Sequence, residues 1–199
     1  MRRARGGAAL VAGIVLCAAS PARANFHLWQ VEEVFSNADG SIQYVEFFTS
    51  SDSQNLLMDH VIRSVQTSTQ LDSFTLGSDL GMTTLDHFFL VATPGFKAVS
   101  GIDPDYTFSQ GQTFIHLGAT NRIDLVGAFT AAFLFDPSML PTDGVHALRF
   151  MAAAAPAVVT AEPTNFAGDQ GQLVPEPDAA LGAAAALGTL VRIGRRRRA

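Results

Sequence analysis

The feature that most constrains the fold is a rhythm of short apolar runs between residues 26 and 150. Runs of aromatic and β-branched residues recur about every ten residues, and each is stopped by Gly, Pro, Asn or Asp. No segment of this region carries a sustained helical stripe. The strand-like runs are Phe26–Phe35, Ser41–Thr49, Val61–Thr67, Ser73–Leu76, His87–Thr93, Thr113–Leu117, Arg122–Val126, Ala131–Phe135 and Val145–Phe150. Ser36–Gly40 ends in Asp-Gly, which supplies the positive φ of a chain reversal, so the first two runs form a hairpin with a longer loop than the tight two-residue type. Ile42, Tyr44 and Phe48 share one face of its second strand. Phe96–Ser100 is long enough for one helical turn. Such a chain is expected to be all-β, with two packed sheets burying Trp29, Phe47, Phe89, Val91, Ile123 and Phe133.

The ends follow different rules. Met1–Gly7 is basic, Ala8–Ala19 is uncharged and apolar, and Ala22-Arg23-Ala24 is an A-x-A site. That order is a secretory signal peptide over residues 1–24, a helical leader that signal peptidase removes to leave Asn25 first; the competing reading is a buried N-terminal helix. The sole cysteine, Cys17, lies inside this segment after Leu16, which does not make a lipobox. The mature chain therefore has no thiol, no disulfide and no thiolate metal site, and residues 25–150 must be stable through their core.

Removing the ends changes the charge. Residues 25–173 hold four basic side chains, Arg63, Lys97, Arg122 and Arg149, against sixteen acidic ones, a balance of −12. Such a surface repels a phosphate backbone and argues against nucleic-acid binding. Residues 151–173, rich in Ala, Pro, Thr and Gly, read as a flexible linker.

Residues 174–199 begin with Val174-Pro175-Glu176-Pro177, continue through an Ala- and Leu-rich helical stretch, Ala179–Ile193, and end in Arg195–Arg198. A helix over that stretch spans roughly 22 Å, short of the roughly 30 Å hydrocarbon core, and its arginines hold the tail on the cytoplasmic side. The motif, short span and arginine run together resemble the PEP-CTERM sorting signal of exported bacterial proteins. The span is richer in Ala and Gly than is usual in that family. The resemblance implies a transient inner-membrane anchor, processing by exosortase near the motif, and delivery to the cell surface or the extracellular matrix. The competing reading is a C-terminal anchor that is never cut.

A second resemblance lies in the hairpin. Val31-Glu32-Glu33-Val34 and Tyr44-Val45-Glu46-Phe47 are similar to the paired opening strands of lamin-tail-like domains, with Glu32 where that family usually has Asn. Asn55-Leu56, Asp59–Ile62, Phe88–Ala92 and Asn121–Val126 fall where the family continues. The resemblance implies an immunoglobulin-like β-sandwich that acts as an interaction or surface-attachment module and has no shared catalytic residues.

Candidate chemistry is sparse. His27, His60, His87, His116 and His146 fall in no metal-ligand spacing, and no G-x-S-x-G elbow is present. Asp39 sits in the hairpin turn. Asp103 and Asp105 flank Pro104, and two carboxylates in one loop are the best candidates for weak calcium binding, though the twelve-residue EF-hand pattern is missing. Glu33 and Glu46 fall within strands, which suggests edge exposure or a cross-strand pair with Arg63 or Arg122. The expectation is a non-catalytic adhesive or structural protein whose partner is an extracellular polysaccharide or a surface protein. The alternative is a hydrolase acting on matrix polysaccharide or peptide, which would require a cleft with convergent carboxylates.

Overall fold

The computed structural model describes residues 26–81, 83–128, 132–150 and 155–174. The signal peptide with Ala22, Ala24 and Asn25, and the sorting signal beyond Val174, lie outside the described residues.

Among the described residues, ten strands form two sheets. They are β1 (Gln30–Ser36), β2 (Gln43–Thr49), β3 (Val61–Gln66), β4 (Thr69–Thr75), β5 (His87–Ala92), β6 (Tyr106–Thr107), β7 (Arg122–Leu125), β8 (Ala132–Leu134), β9 (His146–Arg149) and β10 (Ala157–Thr160). One five-residue helix, α1 (Phe96–Ser100), follows β5, and a 3-10 turn covers Pro137–Met139. The larger sheet runs β10-β9-β1-β2-β5-β6 and the smaller β4-β3-β7-β8. Every pairing is antiparallel except β5 with β6.

The sheets share one core. Val31, Val34, Val45, Phe47, Phe89, Val91 and Leu148 of the larger sheet join Ile62, Ile123 and Leu125 of the smaller, with Trp29 and Phe150 beside them. All six residues expected inside are in or against this cluster, Phe133 as a partly buried neighbour. Trp29 donates its indole N–H to the Gln54 carbonyl at 2.7 Å, so its one polar atom is satisfied.

The hairpin turn is tied by its own side chains. Gly40 adopts φ +74°, the Asn37 carboxamide accepts from the Ile42 amide at 3.0 Å, and the Asp39 carboxylate accepts from the Ser41 amide at 2.9 Å. A register shift between Val31 and Glu33 is a β-bulge. It lets Val31 and Val34 both reach the core, although they are three residues apart, and turns Glu33 and Phe35 to the opposite face.

Thr113–Leu117 is not a strand. Phe114 and Ile115 are buried as a strand would bury them, but both of their amides and the Ile115 carbonyl are satisfied by one side chain. The Gln43 carboxamide oxygen accepts from the amides of Phe114 and Ile115 at 3.0 and 2.9 Å, and its NH2 donates to the Ile115 carbonyl at 2.6 Å. A buried glutamine here replaces a ladder neighbour.

The expected linker is also corrected. Ala157–Thr160 pairs with β9 as the edge of the larger sheet. Residues 161–174 then lie across that sheet's outer face, where Ala161 and Leu173 join Phe35, Ile42, Tyr44, Leu90, Ala92, Phe96 and Ala147 in a second apolar cluster. A face this apolar would be unstable in water, and the strap together with α1 covers it. The folded body therefore extends to Val174 and does not stop at Phe150.

Candidate functional site

Two buried glutamates lie beneath the strap. Glu33 and Glu46 are cross-strand partners in β1 and β2, and both are essentially inaccessible, at 0% and 1% exposure. Tyr44 donates its hydroxyl to one Glu33 oxygen. Arg149, opposite Glu33 on β9, donates to the other through Nε at 2.9 Å and Nη2 at 2.7 Å, with Glu32 3.9 Å away. The strap completes the cluster: the Thr164 amide donates to Glu46.

Three carboxyl groups thus gather near one guanidinium; Glu33 and Glu46 are buried, while Glu32 and Arg149 are partly exposed, so the charged forms of the two buried groups are the ones disfavoured. Burial raises Glu33 above the usual carboxyl range, against the pull of Tyr44 and Arg149. Glu32 is raised for the same reason. Glu46, with no cation of its own, is pushed up to about 8 by burial and then by its neighbours Glu33 and Glu32. The Tyr44 hydroxyl is driven well above its ordinary value by burial and by Glu33. Chemically this is a latch, in which carboxyl oxygens held in the sheet receive backbone amides of the strap.

The expected partners of these two glutamates are therefore corrected. β1 and β2 are interior strands, so neither residue is at an edge, and the cation bonded to Glu33 is Arg149. Arg63 and Arg122 belong to the other sheet. There they meet Asp124, with Arg63 Nη2 3.1 Å from one oxygen and Arg122 Nε 3.0 Å from the other. These three residues line an open cleft of ≈ 300 Å³ with Leu125, Val126, Gly127 and Ala128.

Asp103 and Asp105 do not act as a pair. Asp103 points outward and binds Lys97 at 2.7 Å. Asp105 points inward, where its carboxylate accepts from the amides of Leu90 at 2.8 Å and Phe166 at 2.9 Å. Burial raises its pKa against those two bonds. Asp105 is thus a second anchor of the strap rather than half of a cation loop, and among the described residues no group of three or more His, Cys, Asp or Glu is placed to hold a metal ion. The histidines are dispersed: His27 meets the Gly127 carbonyl at 2.7 Å, His60 stacks on Phe26, His87 meets the Leu85 carbonyl at 2.7 Å, and His146 contacts Asp143 at 2.6 Å. His116 lies 3.8 Å from Asp72.

Of the sorting-motif residues only Val174 is described. Its amide donates to the Val99 carbonyl at 3.1 Å, which holds it on the loop side of α1. No helix among the described residues is long and apolar enough to cross a membrane, and Ala179–Ile193 lies outside them. The fold and its buried cluster define an all-β protein of two sheets closed by a C-terminal strap. Compared with known protein families, curated proteins and solved structures, the chain matches none.

Proposed function

We propose that this chain is an exported bacterial surface or matrix protein, an immunoglobulin-like sandwich of the lamin-tail-like kind, that acts by adhesion rather than catalysis. Signal peptidase and exosortase act on its two ends, and its passage through the inner membrane is transient. The observation that carries this reading is the order along the chain: a signal peptide, one continuous folded body, then the Val174–Pro177 motif, a short apolar span and four arginines. The structure adds support at one point. The deepest carboxyl cluster has its oxygens turned to Tyr44, Arg149 and the strap, which is how a closure is built; a hydrolase needs its carboxylates in a cleft.

Mass spectrometry of the protein released by its native host tests the assignment. The mature chain should begin at Asn25 and lack Arg195–Arg198. Released protein that still carries the arginine tail would refute sorting by exosortase.

A further inference from the structure

We infer that the Arg63–Arg122 cleft on the outer face of the smaller sheet binds a carboxylate-bearing sugar, a uronate unit of an acidic polysaccharide. The inference rests on the proposed surface location and names the ligand class for it.

The body is strongly acidic, yet its basic residues are unevenly committed. Lys97 is taken by Asp103, and Arg149 by Glu33 with Glu32 nearby. Arg63 and Arg122 share a single carboxylate, Asp124. Strand register places the three together: Arg63 is opposite Asp124 across β3 and β7, and Arg122 lies two residues before Asp124 on β7. Across β4 and β8 the neighbours on this face are Ser73, Thr75 and Leu134, so among the described strand positions Asp124 is its one carboxylate. Two guanidiniums against one carboxylate leave a local charge of +1. At physiological ionic strength, charges beyond about 8 Å are largely screened, so this local excess outweighs the distant acids.

The chemistry of the cleft selects further. A guanidinium presents a planar fork that matches a carboxylate, and each shares only part of it with Asp124. Arg63 and Arg122 are part-exposed, while Asp124 is almost covered. Beside them, Val126 and Leu134 are accessible apolar side chains, Leu134 at 63%. A fork next to an apolar surface suits a pyranose ring, which offers a carboxylate at one corner and C–H groups on its face. An acidic peptide fits less well. Peptides gain affinity by pairing with a sheet edge, and here the arginines stand on the interior strands β3 and β7. One site of this size binds weakly, but a polymer with a uronate in every repeat gains avidity across many displayed copies.

The test uses the full chain in uncharged detergent, titrated with oligogalacturonate, its methyl ester and a sulfated glycan, and read by isothermal calorimetry. The free-acid oligomer should bind, with affinity falling as salt rises, and the methyl ester should not. The triple change Arg63→Gln, Arg122→Gln, Asp124→Asn keeps the cleft free of an unpaired charge, and should weaken binding about tenfold or more. Asp124→Asn alone frees both forks and should tighten binding, an outcome that a purely structural arginine pair would not give. Equal binding of acid and methyl ester, preference for the sulfated glycan, unchanged affinity in the triple variant, or no binding at all would each overturn the site. None of these results bears on the mature ends, so failure here leaves the export reading standing.

Discussion

The latch beneath the strap makes stability depend on pH in a direction opposite to most acidic proteins, and Glu46→Gln isolates the cause. Glu46 titrates near 8 in the folded protein against 4.5 for an ordinary glutamate. The folded state therefore binds a proton more tightly than the unfolded state. Its contribution is fully present below about pH 4.5 and is lost as pH rises through about 8. At about 1.36 kcal/mol per pH unit, the interval sets a ceiling near 5 kcal/mol. Between pH 5.5 and 9 only the part from pH 5.5 to about 8 is lost, at most about 3.4 kcal/mol, and water entering beneath the strap lowers that to an expected loss of about 1–3 kcal/mol. Glu33, Glu32 and Asp105 are raised by burial and act in the same direction at lower pH. His60, lowered by burial, acts in the opposite direction, so wild type must be compared with a variant. Glutamine keeps an oxygen for the Thr164 amide and cannot ionise. Urea unfolding followed by the fluorescence of the single, fully buried Trp29 gives both stabilities at each pH. Wild type should approach or exceed the variant at pH 5.5 and fall below it at pH 9. A difference between the two that does not change with pH would refute the argument.

Two further outcomes follow from the strap. Ending the chain after Phe150 removes β10 and uncovers Tyr44, Leu90 and Ala147, so this truncation should aggregate or bind a hydrophobic dye, while a chain of residues 25–174 stays β-rich and monomeric by circular dichroism and gel filtration. Asp105→Ala leaves the Leu90 and Phe166 amides without their acceptor and should cost about 1–3 kcal/mol, whereas Asp103→Ala should change stability by less than about 0.5 kcal/mol; millimolar calcium should leave the wild-type melting temperature unchanged, and a rise would restore the cation-loop reading.

Much of the sheet architecture was legible because it depends on local pattern. The runs at Val61, His87, Arg122 and Val145 became β3, β5, β7 and β9, and the Asp-Gly turn fell between β1 and β2. What failed to show is non-local. Thr113–Leu117 has the composition of a strand, but the backbone bonds of Phe114 and Ile115 go to the side chain of Gln43, 71 and 72 residues earlier in the chain. The 155–174 segment has the small and polar residues of a linker, because a strap that docks by backbone amides needs few large side chains. Glu33 and Glu46 look like surface residues in a strand. Their burial depends on a bulge after Val31, on Arg149 from β9 and on a strap more than a hundred residues away, none of which leaves a local mark.

The strap also changes what the sorting signal must do in the proposed anchored form. A flexible linker would have let the body drift from the bilayer. Instead Leu173 is buried and the Val174 amide is bound to Val99, so the body is packed at least as far as the residue before Pro175. Only Pro175, Glu176, Pro177 and Asp178 separate Val174 from the apolar stretch at Ala179. Fully extended, these residues reach at most about 14 Å. Under the proposed sorting, the anchored body would be held against the membrane surface, where an enzyme embedded in the bilayer would meet the motif close to it. A cut at or beyond the motif leaves residues 155–174 with the product, so β10, the Asp105 anchor and the carboxyl latch all survive release. Under the proposed sorting, folding and processing would thereby be separable: among the described residues, all those that close the sheet lie on the side of the cut that would be kept.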